Sequence, residues 1–137
     1  MGQLEQMVAL VTGGSRGIGK AIVLAFAREG ADVVFTYKSS SAASEELAGQ
    51  VRALGRRAMA LQSDASQFAE ASRVVDATVK EFGRLDILVN NAGITRDTLL
   101  MRMSEDDWDQ VLSTNLKSAF SFSKAASRPM MSQRSGV

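Results

Sequence analysis

Short apolar runs alternate along the chain with segments in which apolar residues recur every three or four positions. The runs span residues 8–11, 31–37, 58–61 and 86–90, and each predicts a β-strand. Residues 33–35 are continuously apolar, which is typical of a strand that is covered on both faces, as in a parallel sheet. The pattern therefore predicts the strands of a buried sheet, separated by helices.

Three segments with helical spacing lie between these strands, and each ends at a glycine, the residue that most readily closes a helix. Because strand and helix alternate, the crossovers must be right-handed and the helices must cover both faces of a parallel sheet. The prediction is an α/β fold with a doubly wound parallel sheet of four strands, in one domain over residues 1–137. The three segments contain Ile18, Ile22, Ala25 and Phe26 before Gly30; Leu47, Val51 and Leu54 before Gly55; and Phe68, Ala71, Val75, Thr78, Val79 and Phe82 before Gly83.

The last third of the chain predicts a long helical region. Ser104 and the acidic residues after it form a capping box, the sequence signature of a helix start. We expect helix to about Arg134 with an interruption near Pro129, Gly136 as its C-cap, and Val137 as the first residue of another strand. One apolar face of this region is predicted to be buried, with residues Trp108, Val111, Leu112, Leu116, Ala119 and Phe120.

Asn115 places a side-chain amide within that apolar face. A buried amide without hydrogen-bond partners costs about 1 to 3 kcal/mol, so the side chain needs partners. Asn115 is therefore either a hydrogen-bonded core residue or a residue with a functional role, and its spacing leaves both interpretations open.

Composition narrows the classes of function. The net charge of +1 gives no basic field of the kind that binds nucleic acid. No apolar run approaches the roughly 20 residues of a membrane span, and the N-terminus does not resemble a signal peptide, so we expect a cytoplasmic protein. Without Cys or His, the usual zinc sites, thiol catalysis and His-based triads are excluded, and no metal site is expected. Chemistry must come from hydroxyls, amides, Lys, carboxylates or a bound cofactor.

A glycine-rich loop follows the first strand directly and leads into the first helix. Gly13 allows the turn, Gly17 leaves no Cβ in the way of a diphosphate, and Gly19 lets the helix pack closely. Backbone N–H groups and the positive end of the helix dipole suit a phosphate at such a loop. A turn with no ligand remains the alternative interpretation.

The second strand ends in Tyr37, Lys38 and Ser39, where many dinucleotide-binding folds place an acid for the ribose 2′-hydroxyl. Lys38, together with Arg16 in the glycine loop, offers two cations suited to a 2′-phosphate. The alternative is that both are solvated surface side chains. Asp32 lies at the other end of the strand, far from this edge.

Polar residues also follow the third and fourth strands. Asp64 ends the third strand and residues 90–93, Asn-Asn-Ala-Gly, end the fourth. In a parallel sheet both lie at the same edge as the glycine loop, so the three strand ends predict one site. Singly, Asp64 could be a helix N-cap and Asn-Asn-Ala-Gly a turn.

Thr12 with the glycine loop, Asp64, residues 90–93 and Asn115 together resemble the short-chain dehydrogenase/reductase family over essentially the whole chain. The resemblance implies a Rossmann-type sheet with strand order 3-2-1-4 and an NADP(H) cofactor. It implies that Asp64 holds the adenine amine and Ala65 a ring nitrogen, that residues 91–94 line the adenosine ribose, and that Asn115 organises a catalytic proton relay. The expected cofactor-binding residues are Gly13, Ser15, Arg16, Gly17, Ile18, Gly19, Tyr37, Lys38, Ser39, Asp64, Ala65, Asn91, Ala92, Gly93 and Ile94.

Within the family, residues 91–103, Trp108 and residues 115–118 resemble the bacterial branch that uses NADPH to reduce 3-oxoacyl groups on acyl carrier protein, in fatty-acid synthesis. The resemblance implies acyl carrier protein as partner, with Arg134 as a docking residue. The alternative is an Arg favoured by the helix dipole. The resemblance also implies a homotetramer that uses the helix over residues 115–131. This helix carries more large apolar side chains than one core face can bury, namely Phe120, Phe122, Met130 and Met131.

The chain departs from the family in its catalytic residues. The family uses a Ser after a fifth strand and a Tyr-x-x-x-Lys, but the single tyrosine is Tyr37, with Ser41 four residues later. We therefore expect that the 137 residues form the cofactor-binding half of a reductase. The chain is expected to stop before the fifth strand and to be inactive alone. Another short-chain ketone or sugar reductase, or a non-catalytic NADP-binding module, are the alternative functions.

Overall fold

The computed structural model describes residues 2–137, which form a four-stranded sheet with helices on both faces. The strands are β1 (Val8–Val11), β2 (Asp32–Tyr37), β3 (Ala58–Gln62) and β4 (Ile87–Val89). The helices are α1 (Gly17–Arg28), α2 (Ser41–Ala53), α3 (Phe68–Phe82), α4 (Glu105–Val111) and α5 (Ser118–Gln133). A 3-10 turn (Leu100–Arg102) precedes α4, and a π-helical segment (Leu112–Lys117) joins α4 to α5.

The strands are parallel and lie in the order β3-β2-β1-β4, which confirms the predicted fold class and strand order. Val8 pairs with Asp32 at the start of β1, and Val11 pairs with Val89 at its end. The order reverses at β1, because β2 follows on one side and β4 on the other. β1 is therefore the point at which the strand order switches direction, and parallel sheets bind ligands at the carboxyl edge beside such a point.

Two apolar cores lie on opposite faces of the sheet, and alternate strand residues supply each of them. Val33 and Phe35 pack with α1 and α2, whereas Val34 packs with α3 and α5. This alternation explains why β2 is continuously apolar, since neither face meets water.

β4 is the half-buried edge strand of the sheet. The backbone N–H of Val137 donates to Asp86 O (2.9 Å), and Leu88 N–H donates to Val137 O (2.8 Å). These bonds pair Val137 with β4, as the expected start of another strand requires.

Within the described residues, no helix is long and apolar enough to span a membrane.

The end of the helical region differs from the prediction. α5 runs through Pro129 without interruption and ends at Gln133. Its C-cap is Arg134, which adopts a left-handed conformation (φ 57°), and not Gly136. Ala126 and Met130, on either side of the proline, pack in the core and keep the helix in place despite the missing hydrogen bond.

One predicted helix face is confirmed in part, and another is wrong. In α1, Ile22 and Phe26 pack against the core, but the buried residues are Gly19, Val23 and Ala27, and Ile18 is 76% exposed. The apolar face predicted around α4 and α5 points away from the sheet, so that its large side chains are exposed. They are Trp108, Leu112, Leu116 and Phe120.

Phe122 and Phe120 test which face of α5 forms the core. Phe122 is fully buried among α3 and sheet residues, whereas Phe120 is 58% exposed. Phe122→Ala should lower the free energy of unfolding by about 3 to 5 kcal/mol, because it leaves a cavity in the core. The matched change Phe120→Ala should cost less than about 1 kcal/mol. Urea unfolding of both variants measures this, and equal losses would contradict the assignment of the faces.

Candidate functional site

A cleft of about 400 Å³ lies at the carboxyl edge of the sheet, between the loops that follow the four strands. All the predicted cofactor-binding residues line it except Gly19, which is buried. Four further hydroxyl-bearing residues line the cleft that were not predicted from the sequence, because single serines and threonines are too common along the chain to indicate a site. They are Thr36, Ser40, Ser63 and Thr114.

The glycine loop has the geometry that a phosphate site requires. Gly13 and Gly17 have φ angles of 65° and 57°, which side chains disfavour. A Cβ on Gly19 would lie 2.3 Å from Gly13 O, so Gly19 allows the helix to approach its own loop. A Cβ on Gly17 would meet no protein atom within 4 Å. The space above Gly17 is therefore open to a ligand.

The N-terminus of α1 meets the cleft at Gly17, and no acidic residue lies in its first turn. The positive end of the helix dipole and the unpaired N–H groups there attract anions. Loop and helix together thus fit a phosphate or diphosphate.

Thr12 connects the glycine loop to the loop after β4. Its buried hydroxyl accepts hydrogen bonds from the N–H groups of Asn91 and Ala92, both at 3.0 Å, and lies 3.4 Å from Val89 O as a donor. The Asn91 side chain in turn donates to Gly13 O (2.9 Å). The two loops that form the middle of the cleft are therefore one hydrogen-bonded unit. Thr12 belongs to the motif that carries the family resemblance, but this role of its hydroxyl was not predicted from the sequence.

Asp64 lies at the β3 end of the cleft and is not the N-cap of α3, which is Gln67. Its Oδ1 accepts hydrogen bonds from the Ser66 hydroxyl (2.6 Å) and N–H (3.0 Å). The Ser66 hydroxyl, more than the nearby Lys38 ammonium, holds the pKa of the Asp64 carboxyl below its ordinary value. Asp64 is therefore ionised at neutral pH, and Oδ2 remains able to accept a donor from a ligand.

Two cations border this end of the cleft. The Lys38 side chain is 72% exposed, and its ammonium lies 3.9 Å from Asp64 Oδ2. Arg16 precedes α1, is exposed, and makes no ion pair within residues 2–137. Tyr37 and Ser39 flank Lys38 on the cleft wall. Both cations therefore border the space in which a ligand anion would bind.

Asn115 is exposed rather than buried, which corrects the prediction. It lies in the π-helical segment, whose wider turn brings it beside the loop after β4. Its Oδ1 accepts from Ile94 N–H (2.8 Å) and its Nδ2 donates to Ile94 O (3.0 Å). Its amide therefore holds the cleft wall at Ile94, and the required partners are backbone groups of a loop.

The residues that are expected to contact other proteins differ in their exposure to solvent. Arg134 is exposed at the end of α5. Phe120 and Met131 are exposed, Phe122 is fully buried in the core and not available to an interface, and Met130 is partly buried against the core.

Comparisons with known proteins agree with this geometry. The family model described as short chain dehydrogenase matches residues 7–137. The chain is 46% identical to a 3-oxoacyl-[acyl-carrier-protein] reductase of Synechocystis over 99% of this chain and 55% of that protein. It spans about half the length of the curated relatives it matches.

Solved structures share the fold. A short chain dehydrogenase from Burkholderia cenocepacia in complex with NADP has a TM-score of 0.91 and 44% identity, over 93% of this chain and 52% of that one. A blue fluorescent protein from a metagenomic library, in complex with NADPH, has a TM-score of 0.87 and 40% identity over 91% and 51%. The family match, the parallel sheet and the glycine loop agree: the chain belongs to the short-chain dehydrogenase/reductase family of oxidoreductases.

Proposed function

We propose that this chain forms the NADP(H)-binding part of a reductase that converts 3-oxoacyl-[acyl-carrier-protein] to its 3-hydroxyacyl form. The observation that carries the proposal is the single cleft in which the glycine loop, two cations and the Asp64 carboxylate converge. Its anion-binding loop fits the diphosphate of a dinucleotide, and its cations fit a phosphate on the adenosine ribose.

Each part of the cleft has a role in this proposal. The glycine loop and the N-terminus of α1 hold the diphosphate, and Arg16 and Lys38 hold the 2′-phosphate. Asp64 accepts the adenine amine, and Ala65 contacts the ring beside it. The bound dinucleotide supplies hydride. Asn115, through its two bonds to Ile94, positions the wall near the reacting end and organises the proton relay.

The proposed substrate is supported by the curated relatives and by the resemblance of residues 91–103 to the same branch of the family. Two curated relatives that are 46% identical carry the name 3-oxoacyl-[acyl-carrier-protein] reductase. The exposed Arg134 is the proposed docking residue for the acidic carrier protein. A reductase of another small ketone or a sugar is the second candidate, since the cofactor cleft contacts little of the substrate.

The exposed apolar face of α4 and α5 supports the proposal of a homotetramer. Trp108, Leu116, Phe120 and Met131 are all exposed there. Large apolar patches of this kind on soluble proteins mark interfaces. α5 would lie in one of the interfaces between subunits.

The two cations should select NADPH over NADH in the native-length protein. A phosphate that replaces water around Arg16 and Lys38 gains charge-assisted hydrogen bonds that a hydroxyl cannot match. We expect dissociation constants at least about tenfold lower for NADPH at one ionic strength. Lys38→Met should reduce this preference, whereas Lys20→Met, in α1 and outside the cleft lining, should retain it. Equal affinities, or tighter NADH, would refute the cofactor choice.

The 137-residue chain alone should reduce no ketone. A ketone needs a proton for the developing alkoxide, and a positioned acid contributes about 10² to 10⁴-fold. Tyr37, the only tyrosine, lines the cleft beside Lys38, on the adenosine side proposed here. An assay with NADPH and an acetoacetyl-carrier substrate should show only the solution rate. Steady turnover by material of confirmed mass would overturn this expectation.

A further inference from the structure

Gln62 is the last residue of β3 and pairs with Tyr37, the last residue of β2. The backbone ladder continues one step further, where Ser63 N–H donates to Tyr37 O (2.9 Å). The next hydrogen bond comes from a side chain, because Gln62 Nε2 donates to Lys38 O (3.0 Å). The Gln62 side chain thus continues the hydrogen bonding between β2 and β3 as far as Lys38, which carries the proposed cofactor-selecting cation.

The segment that contains Lys38 has few other ties. Residues 38–40 lie between β2 and α2 without regular structure. Ser40 O accepts hydrogen bonds from the N–H (2.9 Å) and hydroxyl (2.8 Å) of Ser44 in α2. Gln62 holds the Lys38 carbonyl from the sheet side. The backbone of this segment is therefore anchored at both ends, once by α2 and once by Gln62.

Gln62 is in turn fixed to α3. Its backbone carbonyl accepts a hydrogen bond from Arg73 Nη2 (2.6 Å), and Arg73 pairs with Glu70 (2.7 Å). The hydrogen bond from Arg73 lowers the pKa of Glu70, so the pair remains charged at neutral pH. Gln62 itself is not among the residues that line the cleft.

We propose that Gln62 is a positioning residue for cofactor selectivity, which acts by fixing the main chain of Lys38. This inference rests on the proposed NADP(H) function. The Lys38 ammonium has only an exposed partner at 3.9 Å, and exposed ion pairs contribute little. Because the main chain of Lys38 is already fixed, less conformational freedom is lost when its ammonium binds a 2′-phosphate.

Adenosine 2′,5′-bisphosphate and adenosine 5′-monophosphate test this directly, since they differ only in the 2′-phosphate. Dissociation constants are measured calorimetrically for the native-length protein, for Gln62→Met and for the control Gln67→Met. Gln67 is exposed, near the cleft and outside its lining. In Gln62→Met, the preference for the bisphosphate should fall about fivefold while binding of the monophosphate is unchanged. Gln67→Met should retain the original preference.

A double-mutant cycle then shows whether Gln62 acts through Lys38. In a Lys38→Met background, which keeps Arg16, Gln62→Met should have no further effect on the preference. An unchanged preference in the single variant, equal weakening of both ligands, or a full effect in the Lys38→Met background would overturn the inference. If the unaltered protein shows no preference for the bisphosphate, the proposed cofactor choice fails and the inference fails with it.

Discussion

The hydroxyl of Thr12 is the contact on which the geometry of the cleft depends. A threonine hydroxyl has one donor and two acceptor positions, and Thr12 directs all of them to the loop and strand of β4. The glycine loop and the loop after β4 come from distant parts of the sequence, and Thr12 holds them in register. Asn91 and Asn115 continue this connection outward, to Gly13 and to Ile94. The cleft is thus a hydrogen-bonded extension of the β1–β4 pairing.

The strands, their parallel arrangement and most of the cleft lining could be predicted from the sequence. Apolar runs were sufficient for the strands, because a strand that is buried on both faces must be apolar, whereas the strand order followed from the family resemblance. Parallel topology then brings all strand ends to one edge, so that Asp64 and residues 90–93 had to lie beside the glycine loop.

The orientation of the helices could not be predicted in the same way. The apolar stripe through Leu116 and Phe120 has the period of a core face, but that face points outward, and periodicity does not distinguish a core from an interface. Asn115 was misplaced for a related reason: the π-helical segment changes the turn, so a regular helical projection fails there. Side-chain links such as Gln62 to Lys38 depend on register between strands, which spacing along the chain does not reveal.

The most direct test compares NADPH binding by Thr12→Val and Thr12→Ser in the native-length protein. Valine keeps the shape of threonine but leaves the N–H groups of Asn91 and Ala92 without their acceptor, whereas serine keeps the hydroxyl. With both variants folded by circular dichroism, Thr12→Val should bind NADPH at least about tenfold more weakly, and Thr12→Ser within about threefold of the unaltered protein. Equal affinity of the valine and serine variants would contradict the account.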